Sequence, residues 1–295
     1  MKILFVCPFF NNAHFMESIV KLLKKNIKND EYKFICLNDA PDIDNGDENY
    51  LNIISILSEN TNCYKEIYDE CKFNNIEHIK IPQDIHIKDR PNHGSQRHGE
   101  LCNWFLRNID SIYPNYKEYD FLCFYDADLF LVEETDFEKE LNNYDFVCPL
   151  IHFNHNPGLS IIVPQPSVFF INLNTVINFK ELDFSIDSRW GNDMGSAVYN
   201  FWKNNPQCRR IREIGTFNGF QNQSFETESK TIKKIDDHYY DYWMNGSLVH
   251  LRWGWGGGAG EKRHRNEENF NKYLQKIKKV FKKYNIPMDF EKWLN

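Results

Sequence analysis

The sequence predicts an α/β fold: a mixed sheet, parallel over its first strands, with helices on both faces, in a single compact domain. Two observations carry the expectation. Short apolar runs alternate with stretches of helical periodicity through the first half, an order that reads β-α-β-α-β-α-β and suits a parallel sheet covered on both sides. The chain's 295 residues, 41% of them hydrophobic, are enough to bury such a core.

The first strand is expected over 3–7, where Ile3-Leu4-Phe5-Val6-Cys7 is apolar without alternation, as a strand covered on both faces must be. The alternative, the start of a secretory signal, lacks a small-residue cleavage site, and the chain runs on into Asn11, Asn12 and His14. Helical spacing predicts helices over 15–25, 50–57, 63–73 and 97–112, and the apolar runs between them predict strands over 33–37, 77–81 and 121–125. Further strands are expected over 146–150, 167–173 and 247–251 with a helix near 192–203, completing the sheet and adding a substrate surface. In the tail, 267–284, Phe270, Tyr273, Leu274, Ile277, Val280 and Phe281 recur at spacings of three and four. This is an amphipathic helix packed back on the body, its lysines forming the solvated face.

Thirty-five Lys and Arg against 42 Asp and Glu give a net charge of −7, which offers no general attraction for nucleic acid or anionic lipid. No apolar run approaches the roughly 18 residues of a membrane span. The eight cysteines form no Cys-x-x-Cys pair and read as reduced core thiols of a cytoplasmic protein. Oligomeric state has no signature in the sequence.

The sharpest chemical feature is the run 121–132, Phe-Leu-Cys-Phe-Tyr-Asp-Ala-Asp-Leu-Phe-Leu-Val, in which Asp126 and Asp128 interrupt apolar sequence. Two buried carboxylates repel each other and cost several kcal/mol to desolvate unless a cation or hydrogen bonds compensate them. At a strand end, one-residue spacing lets both converge on an oxygen-preferring divalent cation. A surface turn carrying two acids is the plain alternative. His250, closing the apolar run Leu248-Val249-His250-Leu251, offers an imidazole nitrogen to Mn2+ or Mg2+, or is a core histidine. Asp193 lies between Trp190 and Gly195 near the expected helix start, where an ordinary helix-start acid beside Asn192 is the alternative. After His250 come Trp253, Trp255 and a run of glycines, which permit a mobile loop, and then the basic cluster Lys262, Arg263, His264 and Arg265.

This pattern resembles the GT-A glycosyltransferases, a Rossmann-like fold, and most closely their family 2 group. Ile3-Leu4-Phe5-Val6-Cys7-Pro8-Phe9-Phe10-Asn11 is similar to that group's opening strand and Pro/Asn turn. Phe34-Ile35-Cys36-Leu37-Asn38-Asp39 is similar to its second strand, and Ser95-Gln96-Arg97-His98-Gly99-Glu100 to the helix start before its DxD strand. The resemblance implies a metal-dependent transfer of a sugar from a nucleoside diphosphate sugar to a hydroxyl of a glycan or protein, with inversion. It implies Pro8, Asp39, Arg97, His98, Asp126 and Ala127 at the donor, and a Mn2+ or Mg2+ ion at Asp126, Asp128 and His250. Asp193 is implied as the base, with Trp190, Trp253 and Trp255 around the acceptor or loop. It divides the single domain 1–295 into a nucleotide-binding half, 1–132, an acceptor and metal half, 133–265, and a helical tail, 266–295.

Retention at the anomeric carbon stays open beside inversion, and so do two other readings. A catalytically silent glycan-binding or scaffold protein would keep the fold without turnover. A haloacid-dehalogenase-type phosphotransferase also uses Asp-x-Asp after a strand, but on its first strand and continuing to Thr or Val, unlike Leu129-Phe130 here. A nucleic-acid role finds no basic stripe or aromatic platform.

Overall fold

The structure, a computed structural model, describes residues 1–10, 12–47, 63–86, 94–156, 159–189, 194–216, 232–235, 238–251 and 267–294. In chain order the elements are β1 (Lys2–Phe9), α1 (Met16–Asn26), β2 (Glu31–Asn38), α2 (Cys63–Phe73), β3 (Glu77–Lys80), α3 (Gly94–Ile112), β4 (Phe121–Tyr125), β5 (Leu129–Leu131) and α4 (Phe137–Leu141). There follow β6 (Phe146–Asn156), β7 (Leu159–Pro164), β8 (Val168–Asn172), α5 (Val198–Asn204), β9 (Ile211–Thr216), β10 (Ile232–Ile235), β11 (His238–Trp243), β12 (Leu248–Leu251), α6 (Glu267–Tyr284) and α7 (Phe290–Leu294). The expected mixed α/β class is the class observed.

Among the described residues the large sheet runs β3-β2-β1-β4-β8-β6-β7, with β9 also paired to β6. Its first four strands are parallel, β8 enters antiparallel beside β4, and β6 lies antiparallel to β8 and β7. β1 is an interior strand, and alternation along it feeds two cores. Ile3, Phe5, Cys7 and Phe9 face α1, α2 and α6, whereas Leu4 and Val6 face α3 and α5. Leu274, Ile277, Val280 and Phe281 are the buried stripe of α6, as their spacing predicts. All eight cysteines are buried free thiols. No described helix is long and apolar enough to cross a membrane.

The second half departs from expectation. The expected strands appear, but the run 121–132 is broken in two. β4 belongs to the large sheet, and β5 joins a separate four-stranded sheet of order β10-β11-β12-β5. A single apolar run with a polar interruption cannot reveal that its halves pair with different partners. The helix expected near 192–203 begins only at Val198, after turns at 194–197, and the expected helix over 50–57 lies outside the described residues.

From β1 the chain winds outward to β2 and β3 and then returns to place β4 on β1's other side. The winding therefore reverses between β1 and β4, and in open α/β sheets the crevice at the carboxyl ends of strands beside such a reversal is where ligands bind. Asp39 follows β2 there and Asp126 follows β4. α3 crosses this end and lies close against the 183–185 segment because position 99 is glycine: a Cβ on Gly99 would lie 2.4 Å from the carbonyl oxygen of Phe184. Asn103 then staples α3 to the 183–185 segment, donating to Asp183 at 2.8 Å and accepting from the Phe184 N–H at 2.7 Å.

Candidate metal and donor site

The two aspartates sit on the link between the sheets. The Asp126 N–H donates to the Ser167 carbonyl at 2.8 Å, and the Leu129 N–H closes a turn onto the Asp126 carbonyl at 3.2 Å. β5 then pairs antiparallel with β12, with His250 opposite Leu129, and the Leu251 N–H donates to the Asp128 carbonyl at 3.0 Å. This register brings together residues more than a hundred positions apart. His250 Nε2 lies 3.3 Å from Asp128 Oδ1 and 3.8 Å from Asp126 Oδ2, and the three ligand atoms all fall within 4.8 Å of one another.

Two carboxylate oxygens and an imidazole nitrogen at these separations fit one divalent cation, since neighbouring ligands of an octahedral ion sit about 3 Å apart. The mixed oxygen and nitrogen set suits Mn2+, with Mg2+ served by the carboxylates. Electrostatics agrees with a site built for positive charge. Burial opposes a charged imidazole at His250, but the carboxylates of Asp128 and Asp241 outweigh it and push its pKa up to about 10. Burial raises the Asp126 carboxyl above its ordinary range against the pull of His98 and His250, and the Asp128 charge adds to that rise. In the metal-free protein a proton on His250 thus supplies some of the positive charge that this cluster requires.

α3 serves both strand ends. His98 Nε2 lies 3.5 Å from Asp126 Oδ1, on the carboxylate oxygen that His250 does not approach. Arg97, the preceding residue, turns to β2: its Nε donates to Asp39 Oδ2 at 2.6 Å, and its terminal nitrogen donates to the Asp39 carbonyl and to Gln83 at 2.9 Å. Its guanidinium also lies over the Phe10 ring, 4.8 Å from the centroid. Asp39 is buried, and its other oxygen meets His86 Nε2 at 2.8 Å while His86 Nδ1 meets Glu100 at 3.0 Å. A base or ribose contacting the Asp39 carboxylate must share oxygens that the protein already holds. Pro8 lies near the end of β1, paired with Leu37, and Ala127 is buried between the two acids.

Asp193, Trp190, Trp253, Trp255 and the cluster at 262–265 lie outside the described residues. The thiols nearest the site are poor nucleophiles. Burial, reinforced by Asp126 and Asp128, pushes the Cys7 thiol well up, and burial with Asp126 and Asp39 does the same to Cys102.

His86, Gln83, Glu100, Asp241 and Trp243 belong to the site's surroundings and were not singled out in the sequence. Asp241 carried a usable signal, an acid inside the aromatic run Tyr239-Tyr240-Asp241-Tyr242-Trp243, the same interruption that marks Asp126 and Asp128. His86 stands between Ile85 and Ile87, a pattern that an ordinary buried histidine shares.

No family model and no curated protein matches the sequence. Among solved structures, S. aureus TarS overlays with a TM-score of 0.39 at 12% identity, covering 75% of this chain and 36% of TarS. TarS 1-349 in complex with UDP gives 0.38 at 13%, covering 75% of this chain and 59% of that one. The glucosyl-3-phosphoglycerate synthase of Mycobacterium tuberculosis, solved with Mn2+, UDP and glucosyl-3-phosphoglycerate, gives 0.39 at 13%, covering 76% and 74%. The chain thus spans between about a third and three fifths of the TarS chains it matches.

Proposed function

We propose that the protein is a metal-dependent glycosyltransferase of the GT-A type, moving a sugar from a nucleoside diphosphate sugar to a hydroxyl of a glycan or protein acceptor, with inversion. The observation that carries this reading is the convergence of Asp126, Asp128 and His250 at the carboxyl end of β4, beside the reversal in strand order. An Asp-x-Asp pair on a surface turn would not be met by a buried histidine from another strand.

Asp126, Asp128 and His250 would hold a Mn2+ or Mg2+ ion, which when bound neutralises the charge that develops on the departing diphosphate. His98 stands on the α3 side of Asp126, where a basic side chain can meet diphosphate oxygens. Asp39 and Arg97 seat the nucleotide at the end of β2, beside Pro8. Asp193 removes the proton of the acceptor hydroxyl as that oxygen attacks the anomeric carbon. Trp190, Trp253 and Trp255 cover the sugar and acceptor. The single domain divides as the resemblance implies, with 1–132 for the nucleotide, 133–265 for metal and acceptor, and 266–295 as a supporting tail.

The test is a thermal-shift panel of nucleoside diphosphates and their sugars, with and without Mn2+, on wild type and Asp128→Ala, followed by assay of diphosphate release from the sugars that bind. Stabilisation that needs both the metal and Asp128 is expected. No shift with any nucleotide under any metal would replace this reading with the silent scaffold.

A further inference from the structure

His250 has two faces, and only one of them looks at Asp126 and Asp128. The other meets a third carboxylate: His250 Nδ1 lies 3.1 Å from Asp241 Oδ2, and Asp241 is fully buried. The pairing follows from the register. Asp241 on β11 is directly opposite His250 on β12, and Trp243, two residues further along β11, projects on the same face as Asp241. Its ring stacks on the imidazole with centroids 5.0 Å apart and planes 24° from parallel.

We propose that Asp241 is a positioning residue for the cation site. The proposal rests on the cation site of the proposed function and not on its sugar chemistry. A neutral imidazole carries one N–H and one lone pair, and an ionised carboxylate only accepts. In the neutral form that a metal requires, Asp241 therefore holds the proton on Nδ1 and leaves the Nε2 lone pair facing Asp126 and Asp128, the one tautomer that can bind a metal there. Trp243 fixes the ring plane, so the lone pair stays aimed without the entropy cost of a free rotor.

The amide variant separates this role from simple packing. Asn at 241 keeps the shape of Asp, yet its N–H2 can donate to Nδ1 and hold the ring with its proton on Nε2, turned against the metal. Mn2+ alone is titrated into wild type, Asp241→Asn, Asp241→Ala and Asp128→Ala, with free Mn2+ read by electron paramagnetic resonance. The visible spectrum of bound Co2+ reports the ligand field, and melting curves in chelator check the metal-free fold. The expected result is Mn2+ affinity reduced about 10- to 100-fold in both Asp241 variants, with an altered Co2+ spectrum in Asp241→Asn and a metal-free melting temperature for that variant close to wild type. Wild-type affinity and an unchanged Co2+ spectrum in Asp241→Asn would overturn the proposal, even if Asp241→Ala fails to fold. Failure of wild type to bind Mn2+ would overturn it together with the metal site. Mn2+ binding without any sugar transfer would remove the sugar chemistry and leave the role of Asp241 standing.

Discussion

Arg97 and Asp39 are joined twice, from the guanidinium Nε to the carboxylate at 2.6 Å and from a terminal nitrogen to the Asp39 backbone carbonyl. The ion pair is buried on both sides and ties the first turns of α3 to the end of β2. Removing Arg97 strips the charge-assisted hydrogen bonds from the buried Asp39 and leaves it with His86, which costs about 1.5–3 kcal/mol. Arg97→Ala is therefore expected to lower the urea midpoint strongly, and denaturant unfolding checks it. If the loss is below about 1 kcal/mol, the pair is solvated and does not organise this end of the sheet.

His86 gives that network a pH dependence. Burial disfavours its charged form, but hydrogen bonds to Asp39 and Glu100 outweigh burial and the nearby Arg97 charge, so its pKa is raised from 6.5. A pKa raised by folding stabilises the native state fully below the unfolded value and ceases to do so as pH rises through the folded value. Stability in urea should thus decline as the pH climbs above about 6.5, and His86→Gln should flatten that part of the profile. Parallel profiles for the two proteins would show that His86 is neutral in the native state.

Cation binding should compete with a proton. His250 is held protonated up to about pH 10 by Asp128 and Asp241 against its burial, and a metal requires the bare Nε2. Below that pH, Mn2+ affinity is expected to rise by roughly tenfold per pH unit, with about one proton released per ion. Calorimetry in buffers of different ionisation enthalpy measures the release. An affinity independent of pH between about 6 and 8.5 would mean that His250 does not ligate.

Gly215 on β9 packs against Trp243 and through it against His250. A Cβ at position 215 would lie 2.2 Å from Trp243 Cδ1, and Trp243 is the ring stacked on His250. Gly215→Ala must displace that ring, with an expected loss of about 1–3 kcal/mol and weaker Mn2+ binding. Unfolding and Mn2+ titration of the same variant check both parts, and a stable variant with unchanged Mn2+ affinity would dissociate Trp243 from the site.

Local patterns alone place several of the described elements. Strand β4 and helices α2 and α6 fall where the apolar runs and helical spacing place them, because a strand covered on two faces and a helix covered on one leave different periods in the sequence. The acids at 126 and 128 were legible for a related reason: charges inside apolar sequence are costly, and a cost that persists points to compensation. What supplies the compensation was not legible. The approach of His250 to Asp128 depends on β5 leaving the large sheet to pair with β12, and that of Asp241 to His250 on the β11–β12 register. Likewise, Asp39 reads in the sequence as an acid after a strand, and only the packing of α3 and of the 83–86 segment at the sheet end gives it Arg97 and His86 as partners. Periodicity records which face of an element is covered, whereas the partner across a sheet is set by pairing between distant segments, and no local pattern encodes that choice.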